Sequence, residues 1–198
     1  LVRGIEAAHV ASHGRHVWVE TPQGERRICH ARSKKNQTVV GDRVLWRPSQ
    51  DEGTIEEVLA RRNLLYRQDE VRTKSFAANL DLVLVLLAAE PEFSQSQLTR
   101  ALIAAAAQDI AVLIVLNKSD LQPQFTRAWE RLAPYRAMGY TVLGTALHPK
   151  DAARAAKTPH PADGWTQLLG ALAQKTSLVL GPSGAGKSTL INRLVPGA

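Results

Sequence analysis

The sequence predicts two units of different class: a small β-barrel over residues 1–70, followed over residues 71–198 by an α/β unit built on a parallel sheet. Two changes of texture carry this reading. Up to about residue 75 the chain consists of short β-like segments broken by turn residues, the pattern of a small barrel or sandwich. From Leu80 onward continuous apolar runs alternate with helical stretches, as in a sheet covered on both faces. With 198 residues, 44% of them hydrophobic, the chain can bury a substantial core without covalent staples.

The elements follow in order. His16 to Glu20 (HVWVE) alternates as a strand and ends at the turn Thr21-Pro22-Gln23-Gly24. Further β-like segments run from Arg26 to Arg32, from Val39 to Arg47 around Gly41-Asp42, and from Thr54 to Leu59. Leu82 to Leu87 (LVLVLL) and Ile110 to Leu116 (IAVLIVL) are uninterrupted apolar runs, expected of buried parallel strands. Between them Gln97 to Gln108 is rich in Leu and Ala, good helix formers, so the unit reads strand, helix, parallel strand. A helix is expected from Gln124 to Met138, stopped by Gly139. A strand from Tyr140 to Leu143 follows, then a loop to about Pro161, a helix from Asp163 to Gln174 and a strand from Ser177 to Leu180. The Ala104 to Ala107 run reads as helix packed closely on the sheet.

Composition narrows the function classes. The count of 25 basic against 18 acidic residues gives a net charge of +7, which suits an anionic partner such as nucleic acid. Cys29 is the single cysteine, which excludes an internal disulfide framework and a Cys-rich structural zinc site within these residues and fits a reducing, cytoplasmic compartment. The longest apolar run, Leu82 to Ala89, is far too short to span a bilayer, and the N-terminus lacks a secretory signal pattern. The chain starts at Leu1 rather than Met and stops shortly after its most informative motif, so it is expected to be a piece of a longer protein.

That motif is Gly181-Pro182-Ser183-Gly184-Ala185-Gly186-Lys187-Ser188, which fits G-x-x-x-x-G-K-[ST] without deviation. Its glycines let the backbone curl so that successive amides, including those of Ser183, Ala185 and Thr189, face phosphate oxygens at a helix N-terminus. Lys187 is the expected contact to the β- and γ-phosphates and Ser188 the expected Mg²⁺ ligand, and these two are the candidate catalytic residues. The loop follows an apolar strand and opens a helix-compatible segment, the context it requires. It does not choose a base, since transporter ATPases and nucleotide kinases carry similar loops.

A base-reading candidate stands at the end of another apolar strand: Asn117-Lys118-Ser119-Asp120. A carboxylate at Asp120 can accept two hydrogen bonds from guanine N1–H and the 2-amino group, a donor pair that adenine lacks. Asn117 can tie the loop together while the Lys118 stem covers the ring face. A third element, Gly144-Thr145-Ala146, resembles the Ser-Ala-Lys-like loop by which guanine nucleotide-binding proteins offer backbone N–H to guanine O6; the resemblance implies that role for Thr145 and Ala146, with Thr145 in place of Ser and Leu147 where Lys is common. The order of the motifs is unusual, because Asn117 precedes Gly181 by 64 positions. In ordinary GTPases the phosphate loop comes first.

With these residues in place, the chain resembles the circularly permuted GTPase family, and within it the GTPases of small ribosomal subunit biogenesis. The resemblance runs through Ala77-Ala78-Asn79-Leu80-Asp81, Asn117 to Leu121 and Gly181 to Thr189. It implies a five-stranded oligonucleotide-binding-type barrel followed by a circularly permuted P-loop GTPase sheet, here incomplete. It implies GTP or GDP with Mg²⁺ as ligand, the small ribosomal subunit and its rRNA as partner, a monomer without membrane contact, and zinc only in a C-terminal domain that these residues do not include. It also implies a switch-I Thr and a D-x-x-G loop after the phosphate loop. Nothing after Thr189 supplies them, so residues 1–198 alone are expected to hydrolyse GTP poorly.

The basic charge has a location. Arg26, Arg27, Arg32, Lys34, Lys35, Arg43 and Arg47 stand against Asp42 alone between residues 26 and 47, a local +6, and the resemblance makes them candidate rRNA contacts. Trp18 and Trp46 are candidates for base stacking. Two other classes stay open from the residues themselves: an ATP-binding P-loop protein such as a transporter ATPase or nucleotide kinase, and an RNA-binding module with a vestigial nucleotide site. His13 and His16 read as a polar turn, since no acidic or Cys partner lies at ligand spacing nearby.

Overall fold

The structure is a computed structural model that describes residues 5–13, 16–32, 37–49, 52–68, 73–148 and 164–196. The chain divides into two compact units, Leu1–Leu80 and Asp81–Ala198.

In the first unit β1 (Ile5–His13), β2 (His16–Glu20), β3 (Arg26–Ala31), β4 (Arg43–Pro48) and β5 (Gly53–Val58) close into a barrel in the order β1-β2-β3-β5-β4. All pairings are antiparallel except β3 with β5. Inward residues Ala7, Val19, Cys29, Val44, Trp46 and Ile55 form the core. Trp46 is therefore a core residue, 3% exposed, and not a stacking platform. Strand β1 completes the five and has no clear signature in the sequence. A hairpin of β6 (Leu64–Gln68) and β7 (Thr73–Ala78) follows the barrel. The first unit, Leu1–Leu80, includes this hairpin.

The second unit is a four-stranded, wholly parallel sheet in the order β10-β9-β8-β11, with β8 at Leu82–Ala88, β9 at Ala111–Asn117, β10 at Thr141–Gly144 and β11 at Ser177–Leu180. Every residue of β8 is buried, which explains its uninterrupted apolar run. Helix α1 (Gln95–Ala106) begins at Ser94, whose hydroxyl accepts from the Gln97 amide at 3.4 Å. The single helix expected from Gln124 to Met138 is two, α2 (Gln124–Arg131) and α3 (Ala133–Ala137). Pro134 explains the break: it has no N–H for the continuing ladder and is tolerated in the first turn of a new helix. Helices α4 (Gly164–Leu172) and α5 (Lys187–Leu194) bury Leu168 and Leu190 against Leu84, Leu86, Leu113 and Val115 of the sheet. Because all four strands run the same way, the chain leaves β8, β9, β10 and β11 at one edge of the sheet. Ligands of such sheets bind at that edge.

Candidate nucleotide-binding site

The loop after β11 turns through Gly184 (φ 77°) and Gly186 (φ 104°) before α5 starts at Lys187. Both angles lie in the region that L side chains rarely occupy. Gly186 is constrained twice, since a Cβ there would lie 2.5 Å from Asn117 Nδ2. Helix α5 then presents its first amides at this loop, a favourable place for phosphate. Lys187 Nζ donates to the carbonyls of Gly181 at 2.8 Å and Pro182 at 2.7 Å, closing the loop into a ring. Ser188 is exposed beside it.

Asn117 ends β9 and is 5% exposed. Both ends of its side-chain amide are engaged. Nδ2 donates to the Ala185 carbonyl at 2.9 Å, and Oδ1 accepts from the Leu147 amide at 3.0 Å. One amide group thus locks the phosphate loop, the end of β9 and the loop after β10 together. Lys118 adopts φ 66° and sends Nζ to the Glu90 carbonyl at 2.6 Å, tying in the loop after β8. The Ser119 amide donates to the Thr145 carbonyl at 3.0 Å.

These loops enclose a cleft of about 680 Å³, a volume suited to a small ligand of nucleotide size. Ser183, Gly184, Gly186, Lys187, Ser188 and Thr189 form one wall. Asn117, Lys118 and Asp120 form the other. Asp120 Oδ1 is buried without a hydrogen-bond partner, an acceptor whose desolvation is uncompensated by protein. Gly181 and Ala185 support the loop from beneath. Ala185 is fully buried, and Gly181 lies against the backbone of Leu86 in β8.

The third element differs from expectation. Thr145 is 4% exposed and its amide donates to the Leu116 carbonyl at 2.9 Å, so it is spent on the sheet. Neither Thr145 nor Ala146 lines the cleft, whereas Leu121, Leu147 and His148 do. The signal that could have found Leu147 is the reach of the Asn117 side chain, which no local pattern encodes. An aromatic residue of α4 and a basic residue of α5 brace this loop: Arg193 donates to the Leu147 carbonyl at 3.1 Å and stacks 3.8 Å above the Trp165 ring.

The basic barrel residues do not form a bare positive patch. Arg26 pairs with Glu20, Arg27 with Glu25, Arg43 with Glu6, and Arg32 and Arg47 both with Glu56. Those carboxylates lie outside the 26–47 stretch, on neighbouring strands and turns, so a count along the sequence overlooks them. Lys34 and Lys35 lie outside the described residues. Cys29 is buried in the barrel core, and burial, with the Glu52 carboxylate adding to it, pushes its thiol up to about 11.

A phosphate loop at the end of one strand, joined by a buried asparagine to an N-K-x-D loop that precedes it in the chain, defines a circularly permuted P-loop GTPase domain. A sequence profile of the RsgA GTPase family matches residues 58–198, and the chain belongs to that family. It is 65% identical over 189 residues to the small ribosomal subunit biogenesis GTPase RsgA of Variovorax paradoxus, covering 96% of this chain and 56% of that protein. The protein of the same name from Burkholderia mallei is 49% identical over 201 residues, with 99% of this chain and 61% of that protein covered. The chain thus spans little more than half the length of these relatives. Among solved structures, YjeQ from Thermotoga maritima superposes with a TM-score of 0.73 at 29% identity, covering 100% of this chain and 66% of that one. YloQ, described as a circularly permuted GTPase, gives 0.66 at 25% identity, covering 98% and 65%.

Proposed function

We propose that this chain binds GTP and GDP with Mg²⁺ in the cleft of its second unit, and that the whole protein hydrolyses GTP during maturation of the small ribosomal subunit. The name shared by its relatives supports the second part. The observation that carries the first is the join at Asn117, which sets Asp120 and the phosphate loop as opposite walls of one cleft. In this reading Asp120 accepts from guanine N1–H and the 2-amino group, filling the need of its buried, unpartnered Oδ1. Lys118 covers the base. The amides from Ser183 to Thr189 and the Lys187 ammonium hold the phosphates. Ser188, exposed at the start of α5, fits a Mg²⁺ ligand, and the ion would neutralise charge between the β- and γ-phosphates.

Hydrolysis needs water and a γ-phosphate held in line, and residues 1–198 contain no D-x-x-G after the phosphate loop. A polypeptide of these residues is expected to bind nucleotide and turn it over slowly. The barrel is the proposed rRNA contact, through Arg26, Arg27, Arg32, Lys34, Lys35, Arg43 and Arg47, of a monomeric, cytoplasmic protein. No helix among the described residues is long and apolar enough to cross a membrane.

Competition between nucleotides tests the base assignment. Unlabelled GDP should displace a labelled guanine nucleotide and ADP should not. Asp120→Asn should weaken GDP by roughly tenfold to a hundredfold, the worth of a charge-assisted hydrogen bond, and favour xanthine nucleotides. Equal displacement by ADP and GDP would point to the ATP-binding class instead.

A further inference from the structure

The outer face of the barrel brings together three side chains that are distant in sequence. Val17 of β2 stands opposite Cys29 of β3, and one step along the same ladder His16 meets His30, with ring centroids 4.9 Å apart. On the other side of β3 the parallel partner β5 sets Gly53 beside Cys29. Glu52, immediately before β5, reaches His30 Nε2 with its carboxylate. One ligand atom from each of His16, His30 and Glu52 falls within 4.8 Å of the other two.

We propose that His16, His30 and Glu52 form a site for a divalent transition-metal ion of the Zn²⁺ class, distinct from the Mg²⁺ expected with the nucleotide. Two imidazole nitrogens and one carboxylate oxygen are a donor set that zinc accepts, with the fourth position left to water. Mg²⁺ and Ca²⁺ prefer oxygen ligands and are disfavoured by the imidazoles. Zinc bonds of about 2.0–2.2 Å place tetrahedral donors roughly 3.4 Å apart. His16 is exposed, and the side chains of His30 and Glu52 are 40% and 42% exposed, so χ rotations can close the remaining distance. The backbone needs no such movement, because His16 and His30 sit on strands fixed by ladder hydrogen bonds and Glu52 directly precedes a third. Coordination would replace the contact between His30 and Glu52, each giving its own bond to the ion. A bound ion would then link β2, β3 and β5, including the single parallel pairing of the barrel, and stabilise the folded unit by mass action.

The test uses the tag-free, metal-free 198-residue chain. Calorimetric titration with Zn²⁺ should find one equivalent, Co²⁺ should develop visible absorption bands of a low-symmetry site, and Zn²⁺ should raise the unfolding temperature. Excess Mg²⁺ should not compete. His16→Ala, His30→Ala and Glu52→Gln should each weaken Zn²⁺ by roughly tenfold or more. His148→Ala, an imidazole lining the cleft of the other unit, should leave binding unchanged. Should His30→Ala disturb the barrel by circular dichroism, His16→Gln reads the same site from an exposed position. Absence of stoichiometric binding, or binding that survives loss of both His16 and His30, overturns the proposal and leaves His30 and Glu52 as a hydrogen-bonded pair only.

Discussion

At the scale of single residues, Asn117 does more than its motif announces. Asn117→Ala would leave the Ala185 carbonyl and the Leu147 amide unpartnered, and each buried loss costs about 1–3 kcal/mol. Denaturant unfolding should show reduced stability, and GDP affinity should fall with it because both cleft walls lose their tie. The residues N-K-x-D are legible in the sequence, but the Leu147 amide that Asn117 accepts from, thirty residues on, is not. His9 has no signal at all. It is 1% exposed, donates or accepts at Ser12 Oγ over 2.8 Å, and burial holds its pKa below the ordinary 6.5 despite the nearby Asp42 carboxylate. The unfolded chain therefore binds a proton that the folded chain refuses. The His9 contribution is fully present above about pH 6.5 and is lost as pH falls below it toward the folded value. His9→Gln should flatten the pH dependence of the unfolding free energy between about pH 7.5 and 5.5.

At the scale of elements, legibility follows burial. Strands β8 and β9, covered on both faces, are plain in the sequence because their positions are apolar almost throughout, and α1 is plain from its Leu and Ala content. Strand β1 is obscure because its inward positions are Ala7 and the polar His9, and its alanines favour helix as readily as strand. The β6–β7 hairpin is obscure for a related reason: Tyr66 and Phe76 are partly exposed, so no clean alternation marks it. What holds the connection after the barrel is an ion pair that no pattern predicts. Arg61 grips the fully buried Asp42 carboxylate with two bonds of 2.7 and 2.8 Å, and the Val39 amide adds a third at 2.8 Å. Arg61→Ala removes the positive partner and leaves a buried carboxylate, so it should destabilise the first unit by about 3–5 kcal/mol. Chemical denaturation followed by a probe in the barrel would read this. In the second unit α4 and α5 act together on the loop after β10. Gly164 packs against the Gly144 backbone, and Arg193 spans from the Trp165 ring to the Leu147 carbonyl. Arg193→Met keeps the stem but removes both the ring stacking and the hydrogen bond. It should weaken GDP by a few-fold while affecting the binding of inorganic triphosphate less, since Lys187 holds the phosphate loop through its own carbonyls.

At the scale of the whole molecule, the net charge of +7 has to be read in space as well as along the chain. Along the sequence, residues 26–47 are a basic block. In space, Arg26, Arg27, Arg32, Arg43 and Arg47 each pair with a glutamate, Arg27 with its near neighbour Glu25 and the others with Glu20, Glu6 or the shared Glu56. Such exposed pairs are worth at most about 1 kcal/mol each, so they hold the arginines in place without removing them from an RNA backbone that offers denser charge. The shared Glu56 matters most, since it serves two arginines and can neutralise only one. Glu56 on β5 thus joins Arg32, just after β3, to Arg47 on β4. Charge reversal of Arg32, Lys34 and Lys35 should weaken binding to the small ribosomal subunit at low salt. It should also reduce the slope of log affinity against log salt by about one for each phosphate no longer neutralised. Glu56→Gln removes one negative charge beside Arg32 and Arg47 and should act in the opposite direction, strengthening binding at low salt. Should neither change alter the slope, Arg32 and Arg47 would belong to a solvated surface whose charges are satisfied by Glu56, and the rRNA contact would have to be sought elsewhere in the protein.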